Sequence, residues 1–210
     1  MQALDNLKNE FYEIVNTNIK RDGITQLMEY LETTDFFISP ASTKYHGSYK
    51  GGLLEHSLNV YYALQDTLQF IYGKDWEKRY NKETVTIVSL FHDLCKIGRY
   101  KTGKRNVKNT ETGQWEEKIV YEYNPDYHNM GHGAKSVMII MNHMKLTEIE
   151  QEAIFWHMGA FDLGNYNPVS AVGDIFSKNT LAYALHSADM DTTYITENKY
   201  FEPITLDIHS

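Results

Sequence analysis

The chain has 210 residues, a formal net charge of −8, 42 % hydrophobic and 23 % charged residues. That content suffices for one core and points to a single domain over 1–210, while the acidic balance excludes an extended nucleic-acid-binding face. No apolar run approaches the roughly 18 residues of a membrane span, and a single cysteine, Cys95, excludes an internal disulfide framework and fits a reducing, cytoplasmic compartment.

The N-terminal stretch carries acids among its apolar residues, unlike a signal peptide. Leu4, Leu7, Phe11, Ile14, Val15 and Ile19 repeat at the 3.6-residue period of an amphipathic helix, which Gly23 ends. A short second helix is predicted from Thr25 to Glu32, so helices fill 1–35 and a core spans about 40–195. Phe36 to Gly52 is irregular, punctuated by Pro40, Gly47, Gly51 and Gly52. Helix three is predicted from about Leu53 to Tyr72, and helix four from about Lys82 to Ile97 or Gly98. Polar–apolar alternation around Asn109–Gly113 predicts a β-hairpin over 100–124. Helical patterning returns from Gly131 to Met144, Thr147 to His157 and Ser177 to Tyr194, with a loop at Asn165–Pro168 inside a loop region 158–176. The expected fold is mainly α, about seven helices with one inserted hairpin.

Within these helices several polar residues interrupt apolar runs. His92 and Asp93 lie between Leu90, Phe91 and Leu94; His56, His132, His157 and Asp189 have similarly apolar neighbours. Burying an imidazole or carboxylate without a partner costs on the order of 2–7 kcal/mol for the polar case alone. A metal bound among them removes that penalty, and imidazole with carboxylate suits Mn, Fe, Ni, Zn or Mg. Cys95 reads as a small core residue. His128, His143 and His186 read as non-ligands, and Asp162 and Asp191 as surface acids. Seven basic residues from Lys96 to Lys118, Arg99 among them, face three glutamates in that stretch, a local basic flap suited to a phosphate-bearing ligand. Lys44, His46 and Tyr49 precede the glycine pair at the expected pocket. Glu55 reads equally as a group orienting a ligand or water and as an exposed helix-start acid.

The order His56, His92–Asp93, Asp189, with Lys96 completing HDxxK, resembles the HD superfamily of metal-dependent phosphohydrolases over about residues 40–195. The stretch from Pro40 to Val60, with GGLLEH at its centre, is similar to the HD domain of a bacterial 3′-to-5′ exoribonuclease family. GHG around His132 and WHMG around His157 sit in comparable places. The resemblance implies a helical bundle in which His56, His92, Asp93 and Asp189 hold one divalent ion. His132 and His157 would complete a second site, with Asp93 as the bridge. Catalytic roles are expected for Asp93 and for Lys96; one helical turn past His92, Lys96 reads equally as touching only substrate or leaving group and as a lysine snorkelling from a helix end. The exoribonucleases carry an OB-fold ahead of this domain; here about 40 helical residues precede it, so hydrolysis of a nucleotide or short oligonucleotide is expected rather than processive RNA degradation. The alternatives are a phosphodiesterase for a cyclic or signalling nucleotide, and a non-catalytic regulatory module stabilised by metal. Oligomeric state is open.

Overall fold

A computed structural model of the protein describes residues 2–109, 112–162 and 169–198. The described residues form eight α-helices and one hairpin: α1 (Gln2–Asn18), α2 (Ile24–Glu32), α3 (Gly52–Tyr72), α4 (Lys82–Phe91), β1 (Tyr100–Lys108), β2 (Trp115–Tyr123), α5 (His132–Met141), α6 (Glu148–Trp156), α7 (Val169–Lys178) and α8 (Thr180–Asp191). The mainly α fold with one inserted hairpin is as predicted. No helix among the described residues is long and apolar enough to cross a membrane.

The central element is α3, which packs against α1, α4 and α8; α6 closes the bundle against α4, α5 and α8. Leu53, Leu54, Leu64 and Leu68 of α3 are fully buried and join one cluster with Leu90 and Phe91 of α4, Ile154 of α6 and Leu185 of α8. Each such side chain contributes roughly 1.5–3 kcal/mol by leaving water. Phe11 packs its ring 5.4 Å from Phe36 and 6.1 Å from Phe91. Phe91, immediately before His92, is thereby anchored in the core.

Helix α4 ends earlier than its apolar run suggests. His92 is its C-cap, Asp93 leaves helical geometry at φ −107° and ψ 19°, and Leu94–Lys96 form a 3₁₀ turn. The Ser136 hydroxyl of α5 accepts from the Cys95 amide at 3.0 Å, and the Tyr127 hydroxyl donates to the Cys95 carbonyl. A continuous helix would have hidden Asp93 in the ladder; these tertiary bonds hold it at a bend instead.

Two further departures come from α7 and α8. Most of the helix Val169–Lys178 falls in the loop region expected over 158–176, with Ile175 and Phe176 packed on the core. The helix expected from Ser177 starts at Thr180, because Asn179 breaks the path at φ −122° and its side chain accepts from the Leu181 and Ala182 amides. The predicted Asn165–Pro168 loop lies outside the described residues.

The hairpin pairs β1 and β2 antiparallel, from Tyr100 opposite Tyr123 to Lys108 opposite Trp115. Its charge is partly cancelled across the strands: Lys104 meets Glu117 at 2.7 Å and Arg105 lies 3.9 Å from Glu122. The basic flap is therefore narrower than the sequence count implies.

Candidate metal centre

Five helices deliver the polar residues to one point. His56 projects from just past the first turn of α3, His92 and His157 cap the C-termini of α4 and α6, His132 opens α5, and Asp189 lies in the last turn of α8. Asp93, on the bend after α4, sits among them. His56, His92, Asp93, His157 and Asp189 are all buried, and His132 is largely so.

The backbone fixes how two of the imidazoles point. His92 Nδ1 lies 2.7 Å from the Ser89 carbonyl and His157 Nδ1 lies 2.6 Å from the Ile154 carbonyl. A carbonyl only accepts, so each Nδ1 carries the proton and each Nε2 presents a bare lone pair. These are orphan carbonyls of a helix C-terminus, so one bond satisfies the helix end and orients the ring. Nε2 of His56, His92 and His157 is buried in each case without a hydrogen-bond partner. Three inward-facing lone pairs around two carboxylates are costly unless a cation completes them.

Asp93 divides the cluster. Its Oδ2 lies 3.7 Å from His56 Nε2 and 3.6 Å from His92 Nε2, while Oδ1 lies 3.6 Å from His157 Nε2 and 2.6 Å from His132 Nε2. Asp189 Oδ1 is 3.1 Å from His56 Nε2. Two donors about 2.1 Å from one ion are about 3.0–3.4 Å apart at octahedral or tetrahedral angles, so these separations need only small closure. His56, His92 and Asp93 form one compact donor triad, and His92, His157 and Asp189 another. The set fits a divalent metal.

Electrostatics divide the histidines into two lowered and two raised. Burial pushes His92 down to about 4, against the attraction of Asp93, and burial likewise lowers His132; neutral imidazole is the ligating form. Burial also opposes charge on His56, but Asp189 and Glu197 outweigh it and raise that ring to about 9. In His157 burial yields to the pull of Asp93, and the ring is raised. Burial would raise the Asp93 carboxyl, yet Lys96 foremost, with His92 and His132, holds it well below the carboxylate range. Asp189 is held below its ordinary value too, by His56 above all, despite burial. Cys95 is fully buried and its thiol is pushed up by that burial, which suits a core residue.

Lys96 differs from expectation. One turn along the same helix as His92, it is expected either on substrate or leaving group alone or as a snorkelling helix-end lysine. Its ammonium is instead buried on Asp93 Oδ2 at 2.6 Å, from the 3₁₀ turn that follows the bend. Arg99 Nη1 lies 3.4 Å from His132 Nδ1, at the base of the hairpin. Of the loop residues, His46 packs its ring 4.9 Å from that of His56, tilted by 41°, and leaves both ring nitrogens buried without partners. Burial foremost, then the neighbouring His56, pushes it down to about 4. Gly52 permits this approach, because a Cβ there would fall on the Gly47 carbonyl. Lys44 is exposed and not tied to the cluster, and Glu55 accepts from the Tyr49 hydroxyl at 2.6 Å on the exposed side of α3. His143 stacks on Tyr30 and His186 Nδ1 bonds to the His157 carbonyl; neither falls in a donor triad.

Two acids escape sequence reasoning. Asp162 is not a surface acid: its Oδ2 accepts from the His132 and Gly133 amides at 2.7 and 3.3 Å, fastening the start of α5. Glu197 lies 3.2 Å from His56 Nδ1. Neither has a local signature, since Asp162 is 30 residues from His132 and Glu197 is 141 from His56.

Gly133 lets α5 cross α6 closely enough to bring His132 beside His157. A Cβ there would meet the Ile154 and Phe155 carbonyls. Gly133→Ala is expected to destabilise the protein by about 2–3 kcal/mol, the scale of overpacking against rigid backbone. Chemical denaturation checks this, and unchanged stability would show that the two helices part freely.

No protein-family model matches the chain, and comparison with curated proteins and with solved structures finds no match either. Fold and site define a mainly α protein with a buried His/Asp cluster whose donors fit a divalent metal.

Proposed function

We propose that this protein is an HD-type, divalent-metal-dependent phosphohydrolase acting on a nucleotide or short oligonucleotide. The observation that carries the reading is the division of Asp93, with His56 and His92 facing one carboxylate oxygen and His132 and His157 the other. That arrangement suits a bridging carboxylate between two ions, with Asp189 completing the first. The HDxxK spacing supports the same reading.

A divalent ion there supplies Lewis acidity, making a water nucleophilic near neutral pH and offsetting charge that builds on the phosphoryl group. The chain's own residues do the rest. Lys96 keeps Asp93 ionised and places a positive charge beside the reacting phosphate. Arg99 adds a second cation at the His132 side. The core packing behind His92 and His157 holds their rings rigid, so ligand geometry is set before substrate arrives.

The test is purified protein, reconstituted with Mn²⁺, Fe²⁺, Ni²⁺, Zn²⁺ or Mg²⁺, against nucleoside mono-, di- and triphosphates, cyclic nucleotides, dinucleotides and short RNA. Chelator-sensitive phosphoester hydrolysis is expected. Turnover confined to cyclic nucleotides would favour the signalling phosphodiesterase, and full metal occupancy with no turnover would make the protein a regulatory module.

Metal number is a separate expectation. Elemental analysis under metal-replete conditions should give two ions per chain, and His132→Ala should give one. A single ion in the unaltered protein would mean that His132 keeps its contact with Asp93 instead of ligating.

A further inference from the structure

The geometry points to Glu197 as a positioning residue that fixes which nitrogen His56 offers to the metal; the inference rests on the metal reading above. His56 meets a carboxylate at each ring nitrogen. Asp189 Oδ1 lies 3.1 Å from Nε2, on the side of Asp93 and His92, while Glu197 brings Oε2 and Oε1 to 3.2 and 3.3 Å from Nδ1. Only Nε2 faces the other donors, so a cation that takes Nε2 displaces any proton there and leaves Nδ1–H to donate to Glu197.

Glu197 is itself held. Asn59 Nδ2 donates to its Oε1 at 2.8 Å, and Asn59 follows His56 by three residues, one turn along α3. The carboxylate is thus clamped by two side chains of the helix that carries the ligand, and its side chain is 7 % exposed. The path that brings it there is unusual. After α8 the chain enters a π-turn, Thr192–Thr196, and the Glu197 amide donates to the Thr192 carbonyl at 2.8 Å. Eight residues of uninterrupted α-helix would carry Glu197 about 12 Å along the axis from Asp189; the wider turn folds it back onto α3. Single π-turns recur at functional sites. His46 packs its ring 4.9 Å from that of His56, tilted by 41°, and restricts its rotation.

His46, His56 and Glu197 could also be read as a third ion site. That would strip His56 of both ring protons, whereas the carboxylate–imidazole–metal relay needs only the proton already held by Glu197, a common outer-shell arrangement.

The probe is Co²⁺, titrated into metal-free protein against a competing chelator, with the visible absorption spectrum as a second readout. Glu197→Gln keeps the size of the side chain and can donate to Nδ1, which favours the wrong tautomer. It is expected to weaken Co²⁺ binding by about 10- to 100-fold and to change the visible spectrum. Asn59→Ala should weaken binding by a smaller factor in the same direction. In the Zn²⁺-loaded protein, ring ¹⁵N shifts should show His56 protonated at Nδ1 and ligating through Nε2. Co²⁺ affinity within twofold of the unaltered protein with the same spectrum, or a His56 that ligates through Nδ1, would overturn the assignment while leaving the metal centre standing. If the unaltered protein takes up no Co²⁺, the metal reading falls and this inference with it.

Discussion

Asp93→Ala should lose metal and turnover together, with activity down by at least 10³-fold. Asp93 offers one oxygen to each histidine pair, so its removal takes a donor from both proposed ions. Metal bound to the native state stabilises it by RT ln(1 + [L]/Kd), roughly 3–4 kcal/mol when metal exceeds Kd by 100- to 1,000-fold. The variant should therefore show no rise in melting temperature on metal addition. The comparison is Lys96→Met. It should retain metal while activity falls by roughly 10²-fold, the scale of losing one transition-state contact. Because Lys96 is buried on Asp93 at 2.6 Å, its metal-free form should also melt lower, and metal should recover much of that loss by taking over the counter-charge. Metal content, melting temperature with and without metal, and kcat separate these outcomes. Full occupancy in Asp93→Ala would place the site elsewhere, and a fully active Lys96→Met would leave the lysine a structural counter-ion.

Arg21→Ala is expected to destabilise the fold by about 3–5 kcal/mol without touching the metal centre, because it strands a buried charge. Glu150 has no exposed side-chain surface and accepts from Arg21 Nη1 and Nη2 at 2.5 and 2.9 Å, from the Thr84 hydroxyl at 2.8 Å and from the Thr147 amide at 2.8 Å. Arg21 also reaches Glu83 at 3.2 Å. One guanidinium thus ties the α1–α2 connection to the starts of α4 and α6. Burial alone would raise the Glu150 carboxyl, but Arg21 first and then Thr147 and Thr84 hold it below its ordinary value of 4.5. A depressed folded-state pKa means that the unfolded chain binds more protons in that window. The stabilisation is then complete above about 4.5 and lost as pH falls through the folded value. Urea denaturation at pH 7 and near pH 3 should show the Arg21→Ala deficit shrinking in acid. A deficit under 1 kcal/mol at pH 7 would mean that water reaches Glu150 once the arginine is gone.

The residues that meet at the cluster were legible because each breaks an apolar helical pattern. His56, His92, Asp93, His132, His157 and Asp189 are polar where the surrounding period demands core, and a buried polar group needs a partner. The hairpin was legible from its alternation and turn. What misled was the continuation of apolar residues past His92: Leu94, Cys95 and Ile97 extend the periodic run, yet the chain bends at Asp93 because Ser136 and Tyr127 capture Cys95. Val169–Lys178 escaped because most of it falls in the stretch read as loop, and the Asn179 cap that separates it from α8 lies just inside the helix expected from Ser177.

By itself, the sequence determined the mainly α class, most of the helices, the hairpin, and the set of polar positions that the core must absorb, since periodicity and turn chemistry act over a few residues. Which oxygen of Asp93 meets which histidines, that Lys96 lies on Asp93, that Asp162 fastens α5 and that Glu197 holds His56 were decided only by tertiary structure. Hydrophobic burial brings helices together without direction, whereas hydrogen bonds and ion pairs depend on fractions of an ångström between side chains as much as 141 residues apart. No local pattern encodes those distances.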